Sequence, residues 1–263
     1  TRFPGLLFRS MQRHAAVMGA AGALGATMMK TLRGRGWRVI GIDSRQVVDG
    51  LRRPPVGMEA GVLWNVLVPT NGANPAEQKK HVIGEMKLMG FGNEEGQKKL
   101  DAVLCFNGGF AMGNASCDDL LISVEKMYGS IVVPSFLGAS LASSFLRPGS
   151  LFLLTGALAG GNVPTPRILA YGSAKAAVHH LVRSLSHETS GLPDGTKVIG
   201  VAPDILDTEM NRTSMPNSPR DNWTPLGELS NKVCDWAESP QSCTSGTIYK
   251  VITTPAGTTY DAL

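Results

Sequence analysis

Tyr171 and Lys175 stand four residues apart in Tyr171-Gly172-Ser173-Ala174-Lys175, a spacing that puts both side chains on one face of a helix. The chemistry open to such a pair is proton transfer. A free phenol, with a pKa of about 10, neither gives nor takes a proton readily at neutral pH. A neighbouring ammonium favours the phenolate and draws that value toward the working range. A second group lies early in the chain, where Gly19-Ala20-Ala21-Gly22-Ala23-Leu24-Gly25 follows a short apolar run and opens a helical pattern. Gly19, Gly22 and Gly25 permit a tight turn and close backbone approach to a pyrophosphate. The helix start at Ala23 and Leu24 supplies N–H donors and the positive end of a dipole. Asp43 ends the next apolar run. Its carboxylate can accept hydrogen bonds from both hydroxyls of an adenosine ribose and would repel a 2′-phosphate, which favours NADH. Ser44 and Arg45 follow directly, and Arg45 could pair with a 2′-phosphate, so NADPH stays open.

These groups need a scaffold, and the patterning supplies one. Apolar runs at Ala15–Met18, Trp37–Ile42, Val62–Val68, Ala102–Phe106, Leu151–Leu154, Lys197–Ala202 and Gly246–Ile252 read as seven strands. Helical patterns over Ala23–Leu32, Ala76–Met89, Asp118–Phe145 and Ser173–Glu188 lie between most of them. Strands that are apolar throughout, alternating with helices, predict a single Rossmann-type α/β domain: a doubly wound parallel sheet of about seven strands with helices on both faces. The domain is read over residues 14–263, with residues 1–13 as a leader or added segment. The first ten residues hold Arg and no acid, weakly like a transit peptide. The expected location is cytoplasmic, with mitochondrial as the alternative. Asp49–Gly61 and Gly90–Lys99 read as loops, and the polar, Pro-rich Asp207–Pro225 has the composition of a loop or lid.

Composition sets bounds. The chain has 263 residues, 43% hydrophobic and 17% charged, with a net charge of +4. That apolar content excludes disorder as the main state. The small charge excess gives no reason to expect a nucleic acid or a membrane as partner. Tyr128–Leu146 carries no charge and approaches membrane-spanning length, but its Pro, Ser and Gly content fits a buried or interface helix better. Cys105, Cys117, Cys234 and Cys243 form no C-x-x-C pair and are expected to be reduced thiols, with Cys105 in the core. Adjacent His179 and His180 would point to different faces of a helix, so no metal site is expected.

Taken in order, the glycine turn, Asp43, Asn107-Gly108-Gly109 after the fourth strand, Tyr171 with Lys175, and Pro203 with Thr208 after the sixth resemble the short-chain dehydrogenase/reductase family over nearly the whole chain. The resemblance is closer to its pterin-reducing members. Leu104–Ala111, Tyr171–His179 and above all Leu206–Arg212, Ser214-Met215-Pro216 and Trp223–Leu226 carry it. It implies reduction of quinonoid dihydrobiopterin to tetrahydrobiopterin with NADH, by a homodimer joined through the two long helices after strands four and five. On motif match, Gly19–Gly25 hold the pyrophosphate, Asp43 the adenosine ribose, and Asn107, Gly108 and Gly109 line the adenosine side. Thr208 sits near the nicotinamide amide, while Lys175 holds its ribose and tunes Tyr171, the proton donor. Phe110, Tyr171 and Asn211 contact the pterin.

One departure is informative. Most family members place a Ser about a dozen residues before the Tyr to polarise a carbonyl, yet no Ser lies between Leu151 and Tyr171. Losing such an oxyanion donor costs about two to three powers of ten in rate. A quinonoid dihydropterin accepts hydride into a conjugated C=N system and needs a proton and stacking instead. Thr155 is the one candidate stand-in. The alternatives are an NADPH-dependent pterin or carbonyl reductase of the same fold, and a non-catalytic dinucleotide-sensing scaffold.

Overall fold

The computed structural model describes residues 12–47 and 63–263. The loop expected at Asp49–Gly61, and nearly all of the expected leader, lie outside the described residues. Eight strands form one sheet: β1 (His14–Met18), β2 (Arg38–Asp43), β3 (Leu63–Leu67), β4 (Leu100–Cys105), β5 (Leu146–Thr155), β6 (Lys197–Pro203), β7 (Ile248–Thr254) and β8 (Gly257–Ala262). Their order is β3-β2-β1-β4-β5-β6-β7-β8. All pairs are parallel except β7 with β8. The expected doubly wound sheet is therefore present, with eight strands in place of about seven. The added β8 is a polar edge strand, Gly-Thr-Thr-Tyr-Asp-Ala; its lack of an apolar run hid it from the pattern.

Seven α-helices complete the fold: α1 (Ala23–Gly34), α2 (Pro75–Leu88), α3 (Leu120–Met127), α4 (Val133–Phe145), α5 (Leu169–Leu185), α6 (Glu209–Ser214) and α7 (Leu226–Glu238). The two-residue period of each central strand divides its side chains between two cores. Ala15, Val17, Val39, Leu104, Leu153 and Val201 face α1 and α7, with Met28, Leu32, Val233 and Trp236 closing that side. Ala16, Met18, Ile40, Val103, Phe152 and Val198 face α2, α3, α4 and α5. Trp236, expected in the core or an interface, is buried and stacks on Tyr249 at 4.9 Å. Arg35 ties the outer ends of α1 and α7 together through Asp235 at 2.7 Å and Glu238 at 3.2 Å.

The helix expected over Asp118–Phe145 is two helices joined by a π-helical turn at Tyr128–Val132, just before Pro134. A proline has no N–H to give and its ring crowds the preceding turn, so local rewinding is the usual accommodation. The run Leu120–Phe145 is, by length and composition, the one helix among the described residues able to cross a membrane. Its inward side chains Met127, Ile131, Leu137, Leu141 and Phe145 are nevertheless packed into the core. All four cysteines are free, as expected, and burial pushes the Cys105 thiol far up.

Helix α4 crosses β4 at close range because Gly138 carries no side chain. A Cβ there would stand 2.3 Å from Cys105 Sγ. Gly138→Ala should therefore cost about 1–3 kcal/mol by overpacking, measured by urea unfolding. Cys105→Ala should relieve part of that cost, so the double variant should be more stable than the sum of the two single losses. Strict additivity would show that the helix shifts away without resistance.

Candidate active site

The site is built at the C-terminal edge of the parallel strands, where β1 and β4 are neighbours although far apart in sequence. At that switch point the following loops diverge to opposite faces and leave a crevice. Gly19, Asp43, Asn107 and Thr155 all lie at this edge.

The glycine turn after β1 is set by close backbone contacts. Gly19 has φ +75°, and a Cβ on it would come within 2.8 Å of the Phe106 and Asn107 backbone. A Cβ on Gly25 would stand 2.2 Å from the Gly19 carbonyl oxygen. Gly22 is the N-cap of α1 and offers no side chain to its N–H groups. The first helix-type bond is Ala26 N–H to Gly22 O at 2.8 Å, which leaves Ala23, Leu24 and Gly25 at the donor-rich end of the helix. Asp43 is buried, and its carboxylate accepts from Ala21 N–H and Arg45 N–H at 2.9 Å each. The Arg45 guanidinium stands 3.6 Å from it. Asn107 Nδ2 is buried and has no hydrogen-bond partner among the described residues. No atom lies within 4 Å of where a Cβ on Gly108 would be. Gly109 is different: a Cβ there would meet Ser130 Oγ at 2.7 Å and Met127 Cε at 3.1 Å, so its small size serves packing against the π-helical turn.

Helix α5 begins at Leu169, four residues before the expected start, so Tyr171 and Lys175 are both helical. With His179 they form one stripe at i, i+4 and i+8. Lys175 is only 3% exposed, and its Nζ donates to the Thr155 main-chain oxygen at 2.8 Å. The Thr155 hydroxyl donates to the Cys105 main-chain oxygen at 2.8 Å. Thr155 was the candidate oxyanion donor; its hydroxyl proton already has an acceptor within the sheet. Sequence reasoning missed two features here, the Thr155 carbonyl as anchor for Lys175 and His179 as support for the next turn. His179 Nε2 accepts from Ala157 N–H at 3.3 Å. A Cβ on Gly156 would collide with that ring, and one on Gly160 would meet the Lys175 backbone at 2.7 Å. The clue was present as a glycine-rich turn preceding a His eight residues after the Tyr. Burial, with Arg183 and Lys175 nearby, holds His179 down at about 4, so it is neutral.

The expected electrostatics of the pair need correction. The Lys175 ammonium lies 5.9 Å from the centre of the Tyr171 ring, and burial dominates both groups. It pushes the Tyr171 phenol up to about 12 and the Lys175 ammonium down to about 8. The phenol is therefore held protonated at neutral pH, the form required of a proton donor. Phe110, half exposed, meets Tyr171 edge-on at 5.1 Å between ring centres. These two rings bring together residues from the loop after β4 and from α5.

The loop after β6 is closed at its base. Asp207 N–H donates to Thr224 O at 2.9 Å and Thr224 N–H to Ile205 O at 2.8 Å. Thr208 caps the short α6 by accepting from Asn211 N–H at 3.1 Å, and Asn211 Nδ2 donates to Leu206 O at 2.8 Å. Asp207 and Arg212 pair through two 2.6 Å contacts. Both Thr208 and Asn211 thus shape this loop. Among the described residues no His, Cys, Asp and Glu group could hold a metal ion.

Comparison with known proteins agrees with this geometry. A family profile described as short chain dehydrogenase matches residues 147–219. A Dictyostelium discoideum protein named dihydropteridine reductase is 33% identical over 254 residues, 96% of this chain and all of that one. The chain belongs to the dihydropteridine reductases of the short-chain dehydrogenase/reductase family. Solved structures carry the family fold at lower identity. A short-chain dehydrogenase/reductase from Serratia marcescens has a TM-score of 0.67 at 17% identity, covering 90% of this chain and 94% of that one. BdcA in complex with NADPH has a TM-score of 0.65 at 17% identity, covering 95% and 96%.

Membership in this family makes the chain an oxidoreductase that uses a nicotinamide dinucleotide. The residues fit that cofactor: a glycine cradle that a Cβ would fill, an uncapped helix start, a buried carboxylate held by the turn, and an unpaired buried amide at Asn107.

The burial of Lys175 sets an expected pH dependence. Lys175 keeps its proton below about pH 8 and loses it above, while Tyr171 stays protonated throughout that range. If the ammonium assists turnover, kcat/KM falls as pH rises through about 8. Lys175→Arg, charged at every pH tested, should be slower but lack that basic limb. A wild-type profile flat to pH 10 would remove the Lys175 charge from the reaction.

Proposed function

We propose that the chain reduces a quinonoid dihydropterin, such as quinonoid dihydrobiopterin, to the tetrahydro form, with NADH as the preferred donor. The observation that carries this reading is the pairing of Phe110 with a protonated Tyr171 at the open end of the sheet, in a site without the family's usual Ser and with the Thr155 hydroxyl turned into the sheet. An aromatic ring and a phenolic donor suit a flat, electron-poor heterocycle, whereas a ketone would need an oxyanion donor. When bound, the reduced nicotinamide supplies the hydride.

The chain's own residues do the rest. The glycine turn with Ala23 and Leu24 holds the pyrophosphate, Asp43 the adenosine ribose, Asn107 and Gly108 the adenosine side, and Lys175 the nicotinamide ribose. Gly109 supports this wall through its contact with the helix behind it, and Thr208 faces the carboxamide. Tyr171 passes its phenolic proton to the reduced pterin, and Lys175, fixed on Thr155, stabilises the charge left on the phenol. Phe110 stacks on the pterin, with Asn211 as a further contact. The Asp43 carboxylate disfavours a 2′-phosphate, which supports NADH over NADPH; its neighbour Arg45 is the feature that favours NADPH.

The functional unit is proposed to be a homodimer formed through the long helices after β4 and β5, the α3–α4 run and α5. Leu121, Ile122 and Phe136 on these helices are 79%, 68% and 56% exposed, although the inward sides of the same helices are core. A second copy would cover that outer face. Sedimentation velocity should give twice the monomer mass, and Ile122→Glu should return it to one. A monomeric parent protein would overturn this assembly.

Oxidation of NADH and of NADPH by the purified protein, with the quinonoid dihydropterin generated in the cuvette, tests the reaction. Fast NADH oxidation with slower NADPH oxidation is expected. Tyr171→Phe should lose about 10²-fold or more in kcat, as for loss of a general acid, while still quenching on NADH binding. Turnover unchanged in Tyr171→Phe would remove the phenol from the mechanism. NADH binding without turnover would leave a dinucleotide-sensing role.

A further inference from the structure

The sheet has a second charged edge, opposite the site. His14, Arg38, Asp101 and Arg147 lie at the N-terminal ends of β1, β2, β4 and β5, with His14 in register with Arg38. The loop after α2 brings Lys98 and Lys99 to the same edge. Between them is a pocket of about 350 Å³ lined by Gln12, His14, Gln97, Lys98, Lys99 and Arg147. Among the described residues no carboxylate lines it. The neighbouring carboxylate, Asp101, accepts from His14 N–H at 2.8 Å and lies 3.0 Å from Arg147 Nε, a contact not aligned for a hydrogen bond.

His14 is the informative residue. It is 7% exposed, and neither ring nitrogen has a hydrogen-bond partner among the described residues. A neutral imidazole still carries one N–H donor, and leaving it buried and unpaired is costly. Arg38 Nε is likewise buried without a partner. Lys98 donates to the Met89 main-chain oxygen and lies over the Trp64 ring, and Lys99 bonds Asn93; neither cation has a carboxylate partner in these contacts. An unpaired imidazole that lines a cavity with excess positive charge is the complement of an oxyanion.

We propose that this pocket is a binding site for a phosphate-type oxyanion, separate from the dinucleotide and substrate sites. Phosphate oxygens would accept from the His14 ring and offset the cations of Lys98, Lys99 and Arg147. The groups acting on His14 are Arg38 from β2, Lys98 from the loop after α2 and Arg147 from β5. Burial first, and then these cations, hold its ring at about 4 against a weak opposing contact with the Gln12 main chain, and the Asp101 carboxylate on β4 faces its main chain. A bound dianion would oppose all three cations and raise that value.

The test follows the His14 ring by ¹H–¹⁵N spectroscopy on the full chain, in separate titrations with inorganic phosphate and glycerol 3-phosphate at constant chloride-balanced ionic strength. A saturable shift of His14 is expected, with its titration midpoint raised by about one unit. The His179 ring, at the other edge of the sheet, separates this event from phosphate at the glycine turn. Tighter binding of the ester would identify an organic phosphate as the ligand, and equal binding the free ion. Lys99→Gln and Arg147→Gln should each weaken binding about tenfold, the equivalent of one charge-assisted hydrogen bond. Lys99 is partly exposed, so its variant tests the site even if Arg147→Gln unfolds. A non-saturating response, or unchanged affinity in folded Lys99→Gln, would overturn the proposal.

Discussion

The active-site geometry depends on how closely the turn after β5 lies against α5. Gly156 and Gly160 let the main chain approach the His179 ring and the Lys175 backbone at distances no side chain would permit. Lys175 is buried there, with its ammonium donating to the Thr155 main-chain oxygen, and burial also pushes the phenol of the partly buried Tyr171 up to about 12. Burial that weakens the acidity of the phenol keeps its proton in place, and the neighbouring ammonium is anchored at the end of β5.

The remainder of the site is assembled by the sheet. Parallel strands end at one edge, and the β1–β4 neighbour relation brings the glycine turn beside the loop carrying Asn107 and Phe110. The Asp43 carboxylate joins them through the Ala21 N–H. Polar groups here are largely held by main-chain partners, which fixes their direction without using mobile side chains. Thr155 shows the same economy, with its carbonyl facing Lys175 and its hydroxyl facing Cys105.

The opposite edge has a contrasting character. There the strand starts gather Arg38, Lys98, Lys99 and Arg147 around a buried, neutral histidine. Both ends of the sheet leave some buried polar atoms without partners, Asn107 Nδ2 at one and the His14 ring at the other, and they differ in the excess of cations gathered at the second.

Much of this was legible in the residues. Apolar runs separated by helical periods specify a buried parallel sheet, because only strands covered on both faces are apolar throughout. The glycine spacing, Asp43, and the Tyr171–Lys175 interval are local patterns and survive as such. Other features depend on residues distant in sequence. Polar β8 is a strand because β7 offers it an edge, and α5 starts at Leu169 because Gly113 and Ile168 form a bridge that positions its entry. The packing of Gly109 against Ser130 and Met127 is likewise a tertiary feature. The largest difference concerns Tyr171. Its spacing from Lys175 suggested a lowered pKa, whereas burial raises it, since desolvation depends on everything packed around a group and not on its nearest partner in sequence. The sequence alone determined which groups could do the chemistry; the tertiary structure decided their protonation states, because only packing sets how much water each one keeps.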